Sequence, residues 1–260
     1  MKQRIITAVI AAAAFLPIVF YGDWPFMILV YLMATVGLYE AIKMRHQSFS
    51  IIAGILSLLL LWILLIPEKY VEELGYTSPQ PFVLMVMLLF LSYMVMTKNR
   101  FTFDDVSYYM LVALYIGFGF HYLIETREAG IQYVFFALFI TWGTDSGAYF
   151  IGRSFGKRKL WPEISPKKTI EGFFGGIFTA LVIAAIFAFI ADLDVSMIKL
   201  LLATVVLSAF GQMGDLVESA LKRHYNVKDS GNILPGHGGI LDRTDSWLFV
   251  FPLLHILQII

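Results

Sequence analysis

The sequence contains no cysteine, which rules out disulfides, thiolate nucleophiles and Cys-ligated zinc together. Charge is scarce: Asp, Glu, Lys and Arg make up 15% of the 260 residues and cancel to a formal net charge of zero. No internal repeat, low-complexity tract or long linker divides the chain, and no polar stretch is large enough to build a soluble core of its own. What remains is apolar. Hydrophobic residues account for 59% of the sequence. Uncharged runs recur at residues 5–22, 48–67, 77–97, 106–124 and 172–191, each close to the length of about 20 residues that crosses a bilayer. In lipid every backbone polar group must be satisfied internally, and runs of this length point to helices rather than a barrel.

The expected fold is an all-α integral membrane protein with about nine transmembrane helices, near residues 5–22, 24–39, 48–67, 77–97, 106–124, 129–151, 172–191, 195–214 and 246–260. The apolar start after Lys2 and Arg4 is followed at once by more spans and reads as a retained helix rather than a signal peptide. The last span is short: its residues rise through roughly 22 Å against a core of about 30 Å. Residues 1–128 form an N-terminal set of helices without a catalytic candidate, and residues 129–260 the catalytic region.

Although the net charge is zero, the charges are sorted by position. Sixteen of the 19 Lys and Arg fall at the N-terminus and in the second, fourth, sixth and eighth loops; only Lys69, Arg127 and Lys199 fall in the others. By the bias of cytoplasmic loops toward Lys and Arg, the N-terminus and the charged loops 152–171 and 215–245 are cytoplasmic. Loop 67–80, acidic and on the opposite side, reads as a solvated connector. His46 reads as a surface residue, His121 and His255 as satisfied core histidines, and the Met-rich run 85–96 as lipid-facing or packing side chains.

Three stretches carry chemistry. In the sixth span Asp145 is the only acid in an apolar helix, and Trp142, Asp145, Tyr149 and Gly152 share one face. An ionisable group inside a span is expensive and is a functional candidate, with a structural hydrogen bond to a neighbouring helix as the alternative. Loop 153–171 holds six basic residues and serves either as a lipid-surface anchor or as a phosphate site. The phosphate reading is favoured for Lys167 and Lys168, which directly precede a helix opening at Ile170. Gly172, Gly175 and Gly176 then permit close helix approach.

The third stretch, residues 215–245, crowds four Asp, one Glu, four Lys or Arg and two His between two spans. Asp215, Glu218, Ser219 and Lys222 share one helix face, with Glu218 and Lys222 spaced for an ion pair. In LPGHGG the proline and glycines force turns and leave backbone N–H groups available to phosphate oxygens. Asp242 and Asp245 follow at a spacing of three. Oxygen ligands without cysteine or a histidine cluster suit Mg²⁺.

The segment from Ser219 to Asp245 reads SALKR, four residues, then KDSGNILPGHGGILDRTD. It resembles the signature of the phosphatidate cytidylyltransferases, or CDP-diacylglycerol synthases. WxxDxxAYxxG, from Trp142 to Gly152, and SPKKTIEGFFGG, from Ser165 to Gly176, resemble that family's other landmarks. The resemblance implies an inner (plasma) membrane enzyme, homodimeric, with its active site on the cytoplasmic face. CTP and phosphatidic acid would become CDP-diacylglycerol and pyrophosphate with Mg²⁺ as cofactor, K⁺ being a further implied ion. It implies Asp215 and Asp242 as metal ligands, with Asp245 a third metal candidate. Lys222, Arg223, Lys228 and Arg243 are expected to hold the triphosphate or pyrophosphate, and Lys167 and Lys168 the lipid phosphate or the nucleotide. Asp145, Ser219, Gly238 and Gly239 are further substrate-binding candidates, and His237 is expected to donate to a phosphate. Membrane lipid is an expected partner and nucleic acid is not. A secondary transporter with an acidic ion path is the alternative. The motif of CDP-alcohol phosphotransferases, DGxxAR, does not occur.

Overall fold

Apolar runs between polar loops become helices in the computed structural model, which describes residues 2–45, 50–73, 75–191 and 193–260. His46 lies outside the described residues. The helices are α1 (Lys2–Tyr21), α2 (Asp23–Met44), α3 (Ile51–Leu64), the short α4 (Glu68–Glu73), α5 (Gln80–Met96), α6 (Phe103–Ala129), α7 (Ile131–Phe155), α8 (Ile170–Ile190), α9 (Met197–His224), α10 (Leu241–Thr244) and α11 (Trp247–Ile256). Several starts are fixed by hydroxyl caps. Ser50 accepts from Ala53 N at 3.3 Å, Thr169 from Gly172 N at 3.1 Å and Ser196 from Lys199 N at 3.4 Å. At α6, Thr102 and Asp105 cap each other reciprocally.

Every expected span corresponds to a helix, but the bounds differ. Five helices are long and apolar enough to cross a membrane: α2, α6, α7, α8 and α9. The apolar parts of α1, α3, α5 and α11 are shorter, from 10 to 17 residues. The second span, expected to end at residue 39, continues to Met44, and the eighth, expected to end at 214, continues to His224. Hydropathy falls at the first charged residue, whereas backbone hydrogen bonding carries on through it. Large apolar side chains face outward on these helices: Phe174, Phe178, Phe189, Ile190 and Ile198 are between 61% and 80% exposed. Water would not tolerate such a surface and lipid does, so the chain is a helical integral membrane protein. One departure from all-α is a two-stranded antiparallel hairpin, β1 (Lys159–Trp161) and β2 (Ser165–Thr169), between α7 and α8.

The chain forms two compact units. Unit 1 comprises residues 1–125 with 230–241, and unit 2 comprises 126–229 with 242–260. In unit 1, α3 packs against α2 and α5, and α1 against α2. Arg45 pairs with Asp105 at 2.6 Å, and Tyr108 donates to Ala41 O at 2.5 Å. Val86 and Phe90 are buried on α5 while Met85, Leu88, Leu89, Val95 and Met96 face outward, as expected of packing and lipid-facing residues. Loop 67–80 contains α4, and Gly75, Tyr76 and Thr77 beyond it are exposed.

In unit 2, α7 and α8 approach more closely than side chains of ordinary size would allow. A Cβ on Gly176 would lie 2.8 Å from Thr144 O, one on Gly175 2.6 Å from Ile151 Cβ, and one on Gly172 2.7 Å from Ala148 O. These are the glycines expected to permit such an approach. Thr144 Oγ1 donates to Ser208 Oγ at 2.9 Å, joining α7 to α9. α11 runs antiparallel to α9: Gly214 meets Phe249, Gly211 meets Val250, and Lys199 Nζ donates to Gln258 O at 2.5 Å. The expected last span, 246–260, is thus a ten-residue helix whose following residues reach on toward the start of α9. His255 Nε2 shares a hydrogen bond of 3.1 Å with Thr126, the satisfied core role expected of it.

Candidate functional site

The polar end of unit 2 is built from the end of α7, the hairpin, the start of α8, the end of α9, and α10. Thr169 ends β2 and also caps α8, so the strand feeds into the helix without a linker and fixes Lys167 and Lys168 just before the α8 N-terminus. Glu171, in the first turn of α8, accepts from Lys157 N at 3.1 Å and from Arg158 N at 3.2 Å and ties down the entry to the hairpin. Arg223 Nε, near the end of α9, donates to Ile164 O in the hairpin turn at 3.4 Å. Pro166 sits in a strand of a two-stranded sheet, where an edge tolerates its missing N–H.

A cavity of about 370 Å³ opens here. Asp145, Lys167, Lys168 and Asp215, four residues singled out from sequence, line it together with Tyr149 and Arg153. Lys168 Nζ pairs with Asp215 at 2.8 Å and donates to Gln212 O at 3.2 Å. Ser219 Oγ donates to Asp215 Oδ1 at 3.2 Å, as their shared helix face allows. Arg153 donates to Tyr149 Oη at 3.1 Å.

Beside this pair stands a second. Lys222 Nζ lies 2.5 Å from Glu218 Oε2 and 2.5 Å from Asp242 Oδ1. The expected Glu218–Lys222 pair therefore forms, and Lys222 bridges α9 to α10. Burial makes this triad consequential, because the Glu218 and Asp242 side chains are only 3% and 6% exposed. Glu218 Oε1 is buried without a partner among the described residues. Asp245 comes close to α9 because residue 214 is glycine: a Cβ there would fall 2.6 Å from Asp245 O. Burial, and then the charge of neighbouring Asp215, push the Asp245 carboxyl up to about 7. Its Oδ1 accepts from Ser246 N at 2.7 Å. Arg223, Lys228 and Arg243 are exposed.

The donor set Asp215, Asp242 and Asp245 is all oxygen and suits a hard cation, and the negative charge that Asp215 and Asp145 place beside Asp245 would favour one. Among the described residues no three acids already stand together as a metal site. Lys168 and Lys222 supply the counter-charge to Asp215 and Asp242.

The Gly-rich loop belongs to unit 1. Leu234 O accepts from His237 N at 2.8 Å around Pro235 and Gly236, whose φ is +78°, the pattern of a type II turn. Gly238, with φ +84°, closes it by accepting from Leu234 N at 3.0 Å. The N–H groups of Leu234, His237, Ile240 and Leu241 are engaged within the unit, so less backbone is free to cradle phosphate than the glycines suggest. The partner of Ile240 and Leu241 is Glu40 of α2, a residue that sequence reasoning missed because the second span was ended at residue 39. His237 and Gly238 are half-buried and Gly239 is buried.

The family model described as the cytidylyltransferase family matches residues 2–260. Curated relatives include the phosphatidate cytidylyltransferase of Bacillus subtilis (strain 168), 56% identical over 99% of this chain and 97% of its own length. That of Staphylococcus epidermidis (strain ATCC 12228 / FDA PCI 1200) is 48% identical over 100% and 99%, and that of Staphylococcus aureus (strain COL) 45% over 100% and 99%. None of these names supports the transporter alternative.

Proposed function

The chain belongs to the cytidylyltransferase family, and on that premise we propose that it is a membrane enzyme that transfers the cytidylyl group of CTP to phosphatidic acid, giving CDP-diacylglycerol and pyrophosphate. The observation that carries the reading is the cavity in unit 2 where Lys167 and Lys168 meet Asp145 and Asp215. Two anionic phosphate substrates need cationic side chains to hold them and carboxylates to recruit a cation between them, and both are present.

The headgroup of phosphatidic acid is a phosphate monoester with a second ionisation near pH ~6 by analogy with phosphorylated side chains. At neutral pH it needs no general base. One of its oxygens attacks the α-phosphorus of CTP, the bond to the β-phosphate oxygen breaks, and pyrophosphate leaves with that electron pair. The chain's contribution is positioning and charge neutralisation. Lys167 and Lys168 hold an incoming phosphate; Lys222, Arg223, Lys228 and Arg243 hold the triphosphate and receive the pyrophosphate. Asp215, Asp242 and Asp245 would hold Mg²⁺, which supplies further neutralisation at the phosphate oxygens. As phosphate arrives, Lys168 exchanges its bond to Asp215 for one to the substrate, freeing that carboxylate. His237 donates to a phosphate and forms no covalent intermediate.

Nine spans, a cytoplasmic N-terminus and a cytoplasmic site in the plasma membrane complete the proposal, supported by the distribution of Lys and Arg. The chain lacks cysteine, so single cysteines at exposed Glu163 and Thr77 report sidedness directly; labelling of Glu163→Cys from outside intact cells would reverse the orientation. The homodimer rests on the family resemblance, and a monomeric mass in detergent would remove it. The activity is tested with purified protein, labelled CTP, phosphatidic acid and Mg²⁺. Label should move into a lipid product with one pyrophosphate released per lipid, and no product in the presence of both substrates would end the proposal.

A further inference from the structure

We propose that Glu40, in the N-terminal half of the chain, is a positioning residue for the reaction: its carboxylate clamps the two ends of the loop 230–241 and so fixes the signature segment that carries His237. The kinetic arm of this inference rests on the cytidylyl-transfer reading; the clamp itself does not.

Glu40 lies on α2 and is 3% exposed. Its Oε2 accepts from Ser230 Oγ at 3.1 Å and from Leu241 N at 3.0 Å, and its Oε1 accepts from Ile240 N at 3.0 Å. One carboxylate thus holds the first residue of the loop and the last two. An ionised carboxylate only accepts, and three converging donors match it. Charge-assisted bonds of this kind offset the cost of burying it. The loop is shaped around the same group. A Cβ on Gly231 would strike the Glu40 side chain, and one on Gly239 would strike both Glu40 and Ser230 Oγ. Gly231 and Gly239 therefore admit the carboxylate. One turn earlier on α2, Gly37 leaves room for Leu241, whose Cδ2 would lie 3.1 Å from a Cβ there. At the tip, Thr7 Oγ1 of α1 donates to Pro235 O at 3.0 Å.

Glu40→Gln tests the charge and the acceptor count with little change of shape. Its amide offers one acceptor oxygen and turns N–H groups toward a donor that Glu40 had satisfied. Amide exchange of the peptide spanning 230–241, measured by mass spectrometry on the full-length protein in detergent, should speed up at least tenfold. Turnover per folded molecule should fall on the order of 10- to 100-fold through kcat, with KM for both substrates within about threefold, because a small misplacement of reacting groups costs rate rather than binding. A purely structural glutamate would lower Tm and leave kcat of the folded fraction unchanged, and that result would overturn the positioning role. Unchanged exchange in Glu40→Gln would overturn the clamp. If the wild-type protein forms no CDP-diacylglycerol, the function fails while the exchange result still decides the clamp. Glu40→Ala with Gly231→Ala provides a cycle: Gly231→Ala alone should loosen the loop as much as Glu40→Gln, yet add nothing in the Glu40→Ala background. Additive effects would show that Gly231 is not fitted to Glu40.

Discussion

The two parts of the signature segment are held by opposite means. In unit 2, the helical part and α10 are tied by lysines reaching carboxylates: Lys168 to Asp215, and Lys222 to Glu218 and Asp242. In unit 1, the Gly-rich loop is tied by one carboxylate accepting from a hydroxyl and two backbone amides. Lysine–carboxylate pairs can be exchanged, since an arriving phosphate competes for the lysine and a cation for the acid. Bonds from backbone amides to a buried glutamate have no such competitor. The first arrangement suits groups that must change partners during a reaction, the second a segment that must stay put.

The largest effect should come from the exchangeable side. Asp215→Asn and Asp242→Asn should each lower turnover by about 1,000-fold or more, because an amide is a poor Mg²⁺ ligand beside a triphosphate. Both proteins should remain folded, since Lys168 keeps the Gln212 carbonyl and Lys222 keeps Glu218. Near-normal turnover at the same Mg²⁺ concentration would remove that residue from the metal set.

Next is Lys222→Ala. It leaves the buried Glu218 and Asp242 facing each other without their common counter-charge, and a buried pair broken from one side typically costs about 3–5 kcal/mol. Thermal unfolding in detergent should show a loss of that order together with loss of activity. A stability change below about 1 kcal/mol would mean that water reaches the triad and screens it.

A smaller effect is expected from pH. Without metal, burial and Asp215 raise the Asp245 carboxyl to about 7, above its value of about 3.9 in the unfolded chain. The folded state then binds more protons, so the contribution of Asp245 to stability should fall as pH rises from about 4 to about 7 and level off beyond. In EDTA this slope should be shallower in Asp245→Asn than in the wild type, because the buried Glu218 carboxyl, raised to about 8, keeps its own share of it, and saturating Mg²⁺ should flatten the Asp245 share. A wild-type slope indistinguishable from that of Asp245→Asn would show that Asp245 is not held protonated.

These contrasts also explain what the sequence made legible. Helix faces and local pairs are read at spacings of three and four, so Asp215 with Ser219 and Glu218 with Lys222 follow from periodicity alone. The helix start at Ile170 is legible in the same local way, where the polar run ending in the hydroxyl cap Thr169 gives way to apolar residues. Glu40 is different. Its partners lie 190 to 201 residues away, no local pattern encodes such a distance, and one acid at the end of an apolar run looks like the edge of a loop. The hairpin escaped because five residues containing a proline and two lysines offer no alternation to read. The glycines of the loop suggested phosphate contacts; Gly231 and Gly239 also have a packing reason that only the position of Glu40 discloses.

The division of labour between an exchangeable and a fixed support is tested most directly by steady-state kinetics on Lys168→Ala and Glu40→Gln side by side, varying CTP and phosphatidic acid separately. Lys168→Ala should raise KM for an anionic substrate about tenfold with kcat little changed, because it removes a contact made before and during the reaction. Glu40→Gln should lower kcat and leave both KM values near those of the wild type. If both substitutions move the same constant by the same factor, the two supports do not differ in kind and the account fails.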